Sequence, residues 1–209
     1  MCFLVIILYL HKNDIPSDLD FSDSVAVDTE TMGLCVKRDR LCLVQLCSSN
    51  GDVHLVQIEK GRYEQAKNLK QLLVNDGILK IFHYARFDIS VLNYYLGIKI
   101  NSIYCTKIAS KISRTYTDKH GLKNLCKDLL GVEISKQEQT SDWGSEILSK
   151  EQMKYAASDV LYLHKLKSKL DEILKREDKS LIAQKCFEAV KIISELEMID
   201  ISPEIILNH

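Results

Sequence analysis

Two carboxylates stand two residues apart in the stretch Val25-Ala26-Val27-Asp28-Thr29-Glu30. The β-branched residues before them mark a strand, and strand alternation puts Asp28 and Glu30 on one face. Charges of like sign at that spacing repel unless a cation joins them. Hard carboxylate oxygens suit Mg²⁺ or Mn²⁺, ions that keep waters and also bind substrate phosphate oxygens. A third acid, Asp88, follows the apolar run Ile81-Phe82 where helical spacing begins. That places it in a helix's first turn, where the dipole favours an acid with or without a function. Tyr155 and Asp159 are four apart, so a helix brings phenol and carboxylate to the same side. Each pattern alone has an ordinary structural explanation. Together, four acids and a phenol can hold divalent ions and steer a water toward a phosphodiester.

The elements that would position these groups are legible as runs of apolar residues. Strands are expected over 4–10, 24–29, 41–47, 53–58 and 79–83, the first of them buried. Helices are expected over 62–74, 86–96, 105–113, 121–130, 149–175 and 178–197, with Gly97, Gly121 and Gly131 at their boundaries. Strands early and helices late predict an α/β domain, a mixed central sheet flanked by helices. No repeat or Pro/Gly-rich linker divides the 209 residues, so a single domain over 1–209 is expected, with 178–209 packing back on the core or on another subunit.

Composition narrows the function. The net charge of −1 argues against coating long nucleic acid, which needs many cations to release counterions. A short substrate fits better. Charge is uneven nonetheless: Lys107, Lys111, Arg114, Lys119, Lys123 and Lys127, with His120, form a basic stretch that reads either as a solvated helical face or as a phosphate-contacting patch. Seven cysteines without a CxxC pair read as reduced, mostly buried thiols of a cytoplasmic protein. The opening apolar run of about nine residues is too short to span a bilayer, so no membrane association is expected.

In order along the chain, Asp28 with Glu30, then Asp88, then Tyr155 with Asp159 resemble the three motifs of the DEDD exonuclease superfamily, tyrosine subtype. The histidine subtype would need His at 154, where this chain has Lys154. Further stretches are similar to the short ribonuclease D relatives called nanoRNase C: Asp39-Arg-Leu-Cys-Leu-Val-Gln45, Cys105-Thr-Lys-Ile-Ala-Ser-Lys111 with Arg114-Thr-Tyr-Thr-Asp-Lys-His-Gly-Leu-Lys123, and Ser135-Lys-Gln-Glu-Gln-Thr-Ser-Asp-Trp143.

The resemblance implies a ribonuclease H-like exonuclease fold and a two-metal 3′–5′ exoribonuclease releasing nucleoside 5′-monophosphates. It also implies a preference for short RNA, dinucleotides especially, and a homo-oligomer, an octameric ring. Asp28, Glu30, Asp88, Tyr155 and Asp159 would be the catalytic set, the four acids holding two Mg²⁺ or Mn²⁺ ions. Asp28 would bridge both ions, Glu30 and Asp159 would hold the one that activates water, Asp88 would help fix the second, and Tyr155 would orient the water. Leu34, where related oligoribonucleases place an apolar wedge between the last two bases, joins His83, Arg114, Lys119 and His120 as the expected substrate contacts, and Lys136 and Trp143 could extend them. A plain core leucine is the other reading of Leu34. Trimming of structured RNA such as tRNA precursors, DNA exonuclease activity and non-catalytic oligonucleotide binding are the competing functions.

Overall fold

The computed structural model describes residues 7–134 and 141–207. Among these, six strands form one sheet: β1 (Leu8–Lys12), β2 (Ser24–Thr31), β3 (Leu41–Ser48), β4 (Val53–Gln57), β5 (Leu79–Phe82) and β6 (Ile103–Cys105), in the order β1-β4-β3-β2-β5-β6. The sheet is mixed. β3 runs antiparallel to both β2 and β4, while the β1–β4, β2–β5 and β5–β6 pairs are parallel. β3 and β4 are buried at every residue, Gln45, His54 and Gln57 included, so neither strand shows the apolar–polar alternation of a half-exposed one.

The helices are α1 (Lys67–Val74, after a 3₁₀ turn at Tyr63–Gln65), α2 (Ala85–Leu96), α3 (Thr106–Ser113), α4 (Leu122–Leu125), α5 (Lys150–Leu161), α6 (Leu163–Arg176), α7 (Ser180–Met198) and α8 (Pro203–Leu207). α4 runs directly into a π-helical turn, Cys126–Leu130. α5 packs on β2, β3 and β4, and α2 on β2, β3, β5 and β6. The core lies between, built from residues such as Val25, Val27, Leu43, Leu46, Ile81, Ile89, Leu92, Ala156 and Val160. No described helix is long and apolar enough to cross a membrane.

Several sequence expectations shift. The first strand is Leu8–Lys12 and not buried: it lies at the sheet edge with Tyr9 and Leu10 exposed, since an edge strand has only one neighbour to cover it. Residues 4–6 of that expectation lie outside the described residues. β6 falls just before an expected helix; three residues are too few to show an alternation. The helix expected over 149–175 is two, α5 and α6, broken at Tyr162, where no Gly or Pro marks the junction. Of the cysteines, Cys42, Cys47, Cys105 and Cys126 are buried, Cys186 is partly so, and Cys35 is exposed.

Candidate active site

β2 carries the first pair of acids, and its alternation sorts three consecutive side chains. Asp28 and Glu30 turn toward α5, and one ligand oxygen from each lies with one from Asp159 so that all three are within 4.8 Å of one another. Thr29, between them, turns the other way: its hydroxyl donates to Asp88 Oδ1 at 2.7 Å. Asp88 sits buried in the first turn of α2. α5 delivers Tyr155 and Asp159 four residues apart on one face, and the Tyr155 hydroxyl bonds the Asp159 carboxylate.

Electrostatics follow from this crowding. Burial, then Asp88, Asp159 and Glu30, hold the Asp28 carboxyl well above the usual carboxylate range. Burial, then Asp159 and Asp88, push Glu30 up to about 9. Asp88 rises to about 7 through burial, although the Thr29 bond pulls it back. The Tyr155 phenol is raised by burial and by Asp159, Glu30 and Asp28. An all-oxygen donor set that stabilises protons so strongly fits a hard divalent cation, whose charge can replace those protons. The described acids that could hold such ions are Asp28, Glu30 and Asp159, with Asp88 beside them.

Supporting residues fix this centre. A Cβ at Gly33, where the chain turns after β2, would lie 2.4 Å from Asp39 Oδ2, so any side chain there would displace that carboxylate. Asp39 in turn accepts from the Cys35 backbone N–H at 2.9 Å. Ser149 and Gln152 form a capping box at the start of α5, and Gln152 Nε2 also donates to Ser141 Oγ and the Asp142 carbonyl. That ties down the loop bearing Trp143, whose buried ring stands 6.1 Å from that of Tyr155. Thr29 and Asp39 were not singled out from sequence. The signal for Thr29 is its place between two acids; Asp39 offered none beyond its position in a resembling stretch.

The expected substrate contacts are scattered. Leu34 is 85% exposed, which removes the reading of a core leucine. His83 Nδ1 is bonded to Thr106 Oγ1 and His120 Nδ1 to Ser110 Oγ, and Lys119 is exposed. Arg114 is turned inward and only 2% exposed; its guanidinium donates to Asp128 at 2.5 Å, to Ser110 Oγ and to the Lys119 carbonyl. Its donors organise the turn before α4, and a buried guanidinium needs such partners. Lys136 lies outside the described residues.

A model of the 3′–5′ exonuclease family matches residues 11–175, most of the chain. The chain belongs to the 3′–5′ exonuclease family. Curated members similar to it include DNA polymerase I of Aquifex aeolicus, 34% identical over 160 residues (77% of this chain and 26% of that protein). Ribonuclease D of Gluconacetobacter diazotrophicus is 33% identical over 153 residues, 73% of this chain and 38% of that one. The chain thus spans about a quarter to two fifths of those two relatives. Among solved structures, Brucella melitensis NrnC superposes with a TM-score of 0.89 at 49% identity, covering 92% of this chain and 94% of that one. The same Brucella protein has been solved bound to pGG and with bound Mg²⁺. The exonuclease is therefore ribonuclease D-like, with the ribonuclease H-like α/β fold of its structural neighbours.

Proposed function

We propose that this exonuclease is a metal-dependent 3′–5′ exoribonuclease that hydrolyses short oligoribonucleotides, dinucleotides especially, to nucleoside 5′-monophosphates. One observation carries the reading: the oxygens of Asp28, Glu30 and Asp159 gathered within 4.8 Å. The likeness to a Brucella protein solved with pGG and with Mg²⁺ supports it.

Asp28, Glu30, Asp88 and Asp159 would hold two divalent ions. When bound, such a pair supplies charge for the entering and leaving oxygens and makes the attacking water more acidic. The protein's own groups do the rest. Thr29 orients the Asp88 carboxylate, as an outer partner fixes a ligand. The Tyr155 phenol, kept protonated by burial and by Asp159, positions water by hydrogen bonding rather than acting as a base. Trp143 shields it on one side. Leu34, exposed beyond the Gly33 turn, would stack between the last two bases without reading their identity, with Lys119, His120 and His83 as candidate contacts to the backbone. Arg114 would support that region from beneath.

The test is turnover of an RNA series from dinucleotides to about twenty nucleotides, with matched DNA, since the 2′-hydroxyl distinguishes them. Activity on short RNA should vanish with EDTA and return with Mn²⁺. Undiminished activity in EDTA, or hydrolysis of DNA alone, would refute the proposal.

A further inference from the structure

β3 lies inside the sheet, between β2 and β4, and carries an amide side chain, Gln45. Gln45 is 0% exposed, and neither its Oε1 nor its Nε2 has a hydrogen-bond partner among the described residues. A buried amide left unpaired is costly, and an apolar side chain of the same length would remove that cost. A group kept at such a position calls for an account of what it bonds.

Strand register says what the amide faces. Gln45 is the partner of Asp28 across β2 and of Leu55 across β4. Directly opposed residues of an antiparallel pair turn their side chains to one face, with Cβ atoms about 4.5–5.5 Å apart. Gln45 therefore shares with Asp28 the face that α5 covers. Leu43, two residues away along β3, is apolar, and the Gln57 amide, diagonal on β4, is already bonded to Lys12 Nζ and the Ser145 carbonyl. The buried residues that α5 adds after Gln152 are apolar. Glu30 sits diagonally and so farther off than Asp28. Asp28 in turn lacks side-chain donors. It accepts from the Thr29 backbone, while Glu30, Asp88 and Asp159 around it have no proton to give once ionised. The Tyr155 hydroxyl is bonded to Asp159. A carboxylate has about four lone-pair sites to fill.

We propose that Gln45 is a positioning residue of the metal centre: its Nε2 donates to the Asp28 carboxylate when divalent ions are bound and fixes the orientation in which that ligand meets them. The two side chains are opposed in register without a hydrogen bond between them in the structure, and rotation about the glutamine side-chain torsions closes the pair. A neutral donor behind a ligand orients it without adding a charge that competes with the cation. This rests on the metal-holding role proposed for Asp28.

The experiment compares the full chain with its Gln45→Met variant, which keeps the length of the side chain and loses both polar atoms. Tm in EDTA should hold or rise, while Kd for Mn²⁺, read by calorimetric titration without RNA, should weaken about tenfold or more. A residue that only fills the core would not move the two in opposite directions. In the unmodified chain, isotope-labelled at its glutamine side chains, Mg²⁺ should shift the NMR signals of the side-chain NH₂ that is slowest to exchange. An equal Kd in the two proteins overturns the role of Gln45 while leaving the metal centre intact. So does a Tm in EDTA that falls along with the affinity, which would make Gln45 a structural residue. Should the variant fail to fold, the labelled chain decides, and unmoved NH₂ signals overturn the role. A full chain that binds no Mn²⁺ removes the metal centre itself and the role of Gln45 with it.

Discussion

Tyr155 illustrates how much of a residue's role depends on its surroundings. Its phenol touches Asp159 and is pushed well above its usual range by burial and by that carboxylate first, then by Glu30 and Asp28, so it stays protonated and donates. Tyr155→Phe removes the donor and keeps the ring against Trp143. We expect kcat on a dinucleotide to fall by about 100-fold or more, with the Mn²⁺-induced rise in Tm retained. Full activity in the variant would show that the hydroxyl has no part in the reaction. The spacing of four that put Tyr155 beside Asp159 was readable because a helix has a fixed period. The bond from Thr29 to Asp88 was not, since 59 residues separate the partners and no local rule brings them together.

At the level of elements, α5 carries Tyr155 and Asp159, and its start is pinned by the reciprocal bonds of Ser149 and Gln152. Ser149→Ala removes one of them and should cost about 1 kcal/mol, a fall in Tm of roughly 2–4 °C for a chain of this size. Thermal unfolding would show it; an unchanged Tm would mean that packing on the sheet alone holds the turn. The stretch from α3 to the π turn behaves differently from its sequence appearance. Arg114 looked like a phosphate ligand among exposed lysines, but its guanidinium is buried against Asp128 and Ser110. Arg114→Ala should therefore lower Tm by roughly 3–10 °C. If instead dinucleotide KM rose with Tm intact, the arginine would reach substrate after all. A run of positive charges does not say which member turns inward, because that choice is made by an acid fourteen residues away.

Across the molecule, gathering four carboxyls costs stability that a bound cation would restore. Asp88 and Glu30 have folded pKa values raised to about 7 and about 9, above ordinary carboxylate values near 4. The sign follows: protonated, these groups favour the fold, so this contribution is complete below about pH 4 and is lost as pH climbs through 7 and 9. Metal-free protein should lose Tm between pH 6 and about 9 from this source. Saturating Mn²⁺ should restore it, contributing about 2.7 kcal/mol at a hundred times Kd, and should do so more at high pH because the ion competes with protons. Calorimetry in EDTA and in Mn²⁺ across that range would check this. A metal effect that shrank toward alkaline pH would contradict it.

The sequence by itself determined the strand carrying Asp28 and Glu30, the helix whose first turn holds Asp88, the helix start before Tyr155, and the order of the three motifs, because periodicity and motif spacing are properties of short segments. It also carried the α/β class and the membership in an exonuclease family. Tertiary structure alone decided that Asp159 meets Asp28 and Glu30 within 4.8 Å, that β1 is an exposed edge, that Arg114 is buried, and that Glu197 at the end of α7 and Asp200 just beyond it are tied to the segments around the acids. Those facts join residues from fourteen to more than a hundred positions apart, and the free energy that brings them together comes from burying the whole core rather than from any neighbour in the chain.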